Sequence, residues 1–166
     1  NDQLVVIAMD SQWWLEDWDK EPEINAGCEV KNRFMFGFLF EEYVRKHRDK
    51  NIVIAVHHPM FSNGPHGGYF TVKQHIFPLT EYKNDLWIPL PGLGSLAAIM
   101  RGTIGSKQDI AHADYKALKD ILLSAAKKNG QFVFAAGHEH NIQYFENKKQ
   151  YFIGSGAGPK DNPTRL

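Results

Sequence analysis

A single cysteine, Cys28, makes an internal disulfide impossible, and the lack of any Cys-x-x-Cys pair excludes the thiolate-rich zinc modules. Neither sign of charge prevails. Lys plus Arg and Asp plus Glu are both 19, so the formal net charge is zero and the basic excess of a nucleic-acid footprint is missing. There is no internal repeat and no low-complexity tract. What remains is 43% hydrophobic and 23% charged over 166 residues, the composition of one globular domain with a packed core. The chain opens on "NDQLVVIAMD", which enters an apolar run at Leu4 without a start methionine or a preceding helix. The expectation is therefore an excised part of a longer protein.

Along the chain, apolar runs and helical periodicities alternate. Leu4 to Met9 reads as a strand buried on both faces. A polar, tryptophan-rich loop follows, with Trp13, Trp14 and Trp18 expected to pack it onto the sheet and Cys28 as an inert buried thiol. Lys31 to Arg48 reads as a helix whose apolar stripe is Phe36, Leu39, Phe40 and Tyr43. Asn51 to Val56 is a second buried strand, ending at His57-His58-Pro59. Asp114 is the expected cap of a second helix carrying Tyr115, Leu118, Ile121 and Leu122, closed by Gly130. Strand three is Gln131 to Ala136, and a hairpin turning near Asn147 and Lys148 completes the order. Strands alternating with helices imply an α/β sheet with crossovers.

Residues 65 to 113 show little periodicity and read as a long loop or lid insertion. Within it, residues 86 to 104 carry one charge, Arg101, but Pro89, Pro91, Gly92 and Gly94 break any membrane-spanning helix. The segment is expected either to pack over the domain's own core or to lie against a membrane or partner domain.

Two histidines, His138 and His140, follow strand three after Gly137. In extended chain, residues i and i+2 point to one side, so both imidazoles can face one point while Glu139 faces away. His57 ends strand two in the equivalent place, at the carboxyl edge where α/β sheets bind ligands. Three neutral imidazoles converging there would suit a transition metal. Several metal chemistries fail on spacing. A zincin needs His-Glu-x-x-His, and residue 142 is Ile142. A zinc deaminase needs Cys-x-x-Cys. A β-lactamase-like hydrolase would want Asp and His where Ile142 and Gln143 stand, and an amidohydrolase barrel opens with its His-x-His rather than placing it near the end.

"NIVIAVHHPMFSNG" and "FVFAAGHEHNIQYF", in this order and each after an apolar strand, resemble the calcineurin-like metallophosphoesterases. "HHPMFSNGPHGG" and the later "GSGAG" resemble the purple-acid-phosphatase-like branch, including bacterial phosphoesterases fused to outer-membrane surface-antigen barrels. The resemblance covers essentially the whole chain but only the later half of the family's domain. It implies an α/β fold, the later half of an αββα sandwich, with a mixed sheet, helices and a C-terminal hairpin. It implies a metal-dependent phosphoric ester hydrolase using two transition metals (iron, manganese or zinc) and a metal-activated water.

Carried onto this sequence, His57 and His138 would ligate one metal and His140 the other. His58 would orient a ligand or face the phosphate. Apart from the resemblance, His66 has neighbouring glycines that permit close approach of a ligand and is read either as lining the substrate site or as a plain loop histidine, and Asn63 either reaches a phosphate or serves the turn. The family's Asp-x-His, Gly-Asp and Gly-Asn-His motifs do not occur; Asp10 is followed by Ser11 and Gln12. The chain alone is therefore expected to be catalytically incomplete, part of a parent phosphoesterase. Separation from its other half would leave an unpaired sheet edge or an exposed apolar face, and with it a route to a homodimer. The fusion resemblance places the parent in the periplasm or at the outer membrane, with a barrel domain as partner. The alternative is a non-catalytic metal- or partner-binding module on the same scaffold.

Overall fold

The computed structural model describes residues 3–17, 21–83 and 85–156. Trp18 and the tail from residue 157 lie outside the described residues.

Runs rich in Val, Ile and Phe form five strands: β1 (Leu4–Met9), β2 (Asn51–Val56), β3 (Phe132–Ala136), β4 (Ile142–Asn147) and β5 (Gln150–Ser155). They make one mixed sheet in the order β1-β2-β3-β5-β4. β1, β2, β3 and β5 are parallel, and β4 pairs antiparallel with β5 through the expected hairpin, with Lys148 in the turn at φ 59°. Helix α1 (Ser11–Leu15) follows β1, α2 (Arg33–Lys46) connects β1 to β2, and α3 (Val72–Ile76), α4 (Pro91–Thr103) and α5 (Ala113–Asn129) lie between β2 and β3. The α/β class is thus as expected; the second sheet of a sandwich is not seen among the described residues.

One row across the sheet is Ile7, Ile54, Phe134, Phe152 and Phe145. This face meets Phe40 and Val44 of α2 and Tyr115, Leu118, Leu122 and Ala126 of α5 in a single core. The stripe on α2 is rotated from the expected one. Tyr43 is 56% exposed, and Gly37 takes the contact with α5, where an added Cβ would already touch Ile121 at 3.4 Å. Close approach of the two helices turns Phe40 and Val44 inward and Tyr43 out.

The opposite face of the sheet is also apolar. Its rows are Val6, Val53, Val133 and Tyr151, then Ala8, Ala55, Ala135, Ile153 and Tyr144. Among the described residues it is exposed at the edge strands and half-buried at its centre: Val6 is 59%, Tyr144 61% and Ile142 77% exposed. The two-sided burial expected of β1 is therefore corrected to one-sided burial, since alternate residues of Leu4–Met9 are exposed. An apolar surface of this extent binds apolar dyes and invites association. Fluorescence of 8-anilinonaphthalene-1-sulfonate is expected to rise on adding the folded chain and to fall in the Val6→Lys/Ile153→Lys double variant.

The insertion is not structureless: it carries α3 and α4. Pro91 does not break α4 but begins it, at a first-turn position where no backbone N–H is needed. Gly94 lets α4 cross α3 closely, because a Cβ there would stand 2.2 Å from the His75 carbonyl oxygen. Among the described residues no helix is long and apolar enough to cross a membrane. The α5 cap is also corrected: the His112 side chain accepts from the Asp114 amide, and Asp114 sits in the first turn, facing Arg33. Cys28 is exposed, not buried.

Candidate metal centre

The carboxyl ends of β2 and β3 are neighbours because the strands pair in parallel, Val56 opposite Ala136. The chain leaves both ladders at the same level, and the Gly137 amide donates to the His57 carbonyl at 3.1 Å. His57 Nε2 and His138 Nδ1 come to 3.2 Å. The structure thus brings together the two histidines expected to share one metal.

His140 is not brought in. His138 adopts a left-handed backbone conformation, φ 67°, so the i, i+2 alternation of a strand ends at Ala136. His140 turns out to solvent, outside the imidazole group. Its place is taken by His58: ligand atoms of His57, His58 and His138 all lie within 4.8 Å of one another. Those three residues could hold a metal ion.

The hydrogen bonds assign protons. His138 Nε2 lies 2.9 Å from the Gln108 carbonyl oxygen, which can only accept, so Nε2 carries hydrogen and Nδ1 keeps its lone pair toward His57. A backbone carbonyl orienting the far nitrogen is the usual support of a metal-binding imidazole. His58 is different. Fully buried, it has Nδ1 at 2.7 Å from Ser11 Oγ and Nε2 at 2.8 Å from Gln108 Oε1. Both nitrogens are engaged, and ligation would cost it one of these bonds.

Burial pushes both imidazoles toward the neutral form. The pKa of His58 is lowered chiefly by desolvation, and that of His138 is lowered to about 3 by desolvation and by the neighbouring His66. Below the ordinary value near 6.5 the unfolded chain gains protons that the folded one refuses, so stability is full above that pH and falls from there toward pH 3. The loss is at most about 1.4 kcal/mol per pH unit for each group, and less for the partly exposed His138. Urea unfolding is expected to show a lower midpoint at pH 5 than at pH 7.5; equal midpoints would contradict the burial argument.

Around this group lies a polar shell of which sequence reading saw only part. His66 packs its ring against His138 with centroids 4.1 Å apart. The Asn63 backbone N–H donates to Gln143 Oε1 at 2.7 Å. Glu139 lies outside the imidazole group, as expected, yet it is buried rather than solvated. Its carboxylate accepts from Ser62 Oγ and, at 3.0 Å, from the His66 amide, holding the 62–66 turn. Gly64 is needed there, since a Cβ would fall within 2.8 Å of all three carboxyl atoms. No spacing rule in the sequence points to Gln108 or Asp109. Trp14 is buried and donates to the Asp114 carbonyl, and Trp13 stacks on Phe36, which is the packing role expected of them.

No family model, no curated protein and no solved structure matches this chain.

Proposed function

We propose that the chain is the metal-holding part of a phosphoric ester hydrolase of the calcineurin-like, purple-acid-phosphatase-like kind. The observation that carries this reading is the His57 Nε2–His138 Nδ1 approach of 3.2 Å at adjacent parallel strand ends. Two imidazole nitrogens on one tetrahedral zinc, each about 2.0–2.1 Å from it, stand about 3.3 Å apart, close to the observed spacing. The carbonyl of Gln108 behind His138 supplies the orienting support such a ligand needs.

The donor set fits one ion. No carboxylate belongs to the group, and His140 is outside it, so among the described residues nothing completes a two-metal centre. A bound ion at such a centre polarises a phosphoryl oxygen and acidifies water. The chain's own residues hold and orient: His138 offers a bare Nδ1 with His57 Nε2 facing it, His58 braces the floor through Ser11 and Gln108, and the His66 ring lies against His138, on the side this reading gives to an ester. The remaining carboxylate ligands belong, in this reading, to the parent protein.

A second reading, a non-catalytic metal- or partner-binding module, is favoured by the absence of a carboxylate from the group and by the open apolar sheet face. Hydrolysis of p-nitrophenyl phosphate and bis(p-nitrophenyl) phosphate by the parent protein separates the two. Metal-dependent turnover that disappears in His57→Ala and His138→Ala supports the enzyme; metal binding without turnover supports the module.

A further inference from the structure

The insertion between β2 and α5 reaches into the imidazole group through a buried carboxylate. Asp109 has no exposed surface. Its oxygens accept from Arg101 Nη2 at 2.6 Å and Nε at 3.2 Å, and from the Ser106 amide and hydroxyl, both at 2.9 Å. The same carboxylate lies 2.9 Å from His66 Nδ1. Burial by itself would raise the Asp109 pKa, but the hydrogen bonds from His66, Arg101 and Ser106 outweigh it and hold the group ionised, far below the usual carboxylate range. Arg101 offsets the buried charge, so the cluster is neutral with a neutral His66, which makes its burial tolerable.

A carboxylate only accepts, so the His66 nitrogen that faces it carries the proton. Arg101 Nη2, which only donates, stands 3.5 Å from the same nitrogen, at the outer limit of a hydrogen bond, so the 2.9 Å carboxylate contact decides where the proton sits. In the neutral ring this leaves Nε2 bare, and among the described residues it has no hydrogen-bond partner. The His66 ring meanwhile lies on His138. Four donor contacts that fix a carboxylate, and through it one imidazole nitrogen, are an arrangement a loop histidine has no need of.

We propose that Asp109, clamped by Arg101 and Ser106, is a positioning residue that fixes the tautomer and orientation of His66, presenting Nε2 to a phosphate group held at the His57–His138 centre. Nε2 then accepts a hydrogen bond from a protonated phosphate oxygen. The phosphate rests on the proposed function; the tautomer does not.

Long-range proton–nitrogen correlation spectra of the chain read the tautomer directly. His66 is expected in the Nδ1–H form in the wild type and as a mixture in Asp109→Asn. A wild-type His66 carrying its proton on Nε2 overturns the assignment, and because this needs no variant it holds even if Asp109→Asn fails to fold. The chain is then loaded with Zn²⁺ and titrated with inorganic phosphate. Asp109→Asn is expected to weaken phosphate binding by about tenfold, the scale of one oriented hydrogen bond, while zinc affinity is unchanged. Equal phosphate affinity in both proteins overturns the positioning role. Failure of zinc to bind defeats the metal reading instead, and the tautomer alone then decides the place of Asp109.

Discussion

Equilibrium dialysis against Zn²⁺ is expected to return one ion per chain, and the His138→Ala variant is expected to return none. The argument is geometric. His57 and His138 approach through nitrogens 3.2 Å apart, and the proton on His138 is committed to the Gln108 carbonyl on the far side of the ring. The His138 Nδ1 lone pair is therefore free for an ion, and His57 Nε2 joins it once the proton of that ring sits on Nδ1 instead. Loss of an outer support at such sites costs about 10- to 100-fold in affinity, and loss of a ligand costs more than that. His57→Ala should behave as His138→Ala does. His140→Ala should leave binding unchanged, because that ring is exposed and outside the group. If His140→Ala were as damaging as His138→Ala, the two-metal arrangement that the metallophosphoesterase resemblance implies would be restored. If the wild-type chain bound no ion, the 3.2 Å contact would be a hydrogen bond between two imidazoles and nothing more.

The largest effect on stability is expected from Phe134→Ala, about 3–5 kcal/mol. Phe134 lies at the centre of the row Ile7, Ile54, Phe134, Phe152 and Phe145, on the one sheet face that the helices cover. It is 1% exposed and stacks on Phe152 with centroids 5.1 Å apart and planes within 13°. Neighbours on three sides are themselves ring or branched side chains anchored in strands, so the cavity cannot close by a local shift, and the cavity cost adds to the lost burial. Phe134→Leu keeps most of the volume and should cost far less. Urea unfolding midpoints of the three proteins decide it. A cost near 1 kcal/mol for the alanine variant would mean that the helices over this face collapse onto the gap, and that the core is less tightly held than its burial implies.

Much of the architecture can be read along the chain because it depends on neighbours in sequence. The first three strands announce themselves as continuous apolar runs, the last two as a hairpin, and α2 and α5 through period-3.6 patterning, while Gly130, φ 115°, ends α5 where glycine alone sits easily. The pairing of His57 with His138 is legible for a related reason. Each ends an apolar run, and parallel strands of an α/β sheet deliver their carboxyl ends to one edge.

What escaped the reading depends on contacts between distant residues. Nothing local says that the chain leaves extended geometry at His138, yet that one left-handed residue sends His140 to solvent. Pro91 reads as a helix breaker until its place at the first turn of α4 is seen. Both sheet faces are equally apolar, so no periodicity says that α2 and α5 cover only one. The shell of the site is the clearest case. His58 with Ser11 and Gln108, His66 with Asp109, and Ser62 with Glu139 join residues 43 to 77 positions apart. Burial follows from the pattern of side chains along an element, whereas a hydrogen-bonded pair follows from how elements stack. The strands and the two strand-end imidazoles were thus written into the chain order; the identity of the third imidazole, the proton on each ring and the buried carboxylate behind His66 came from packing.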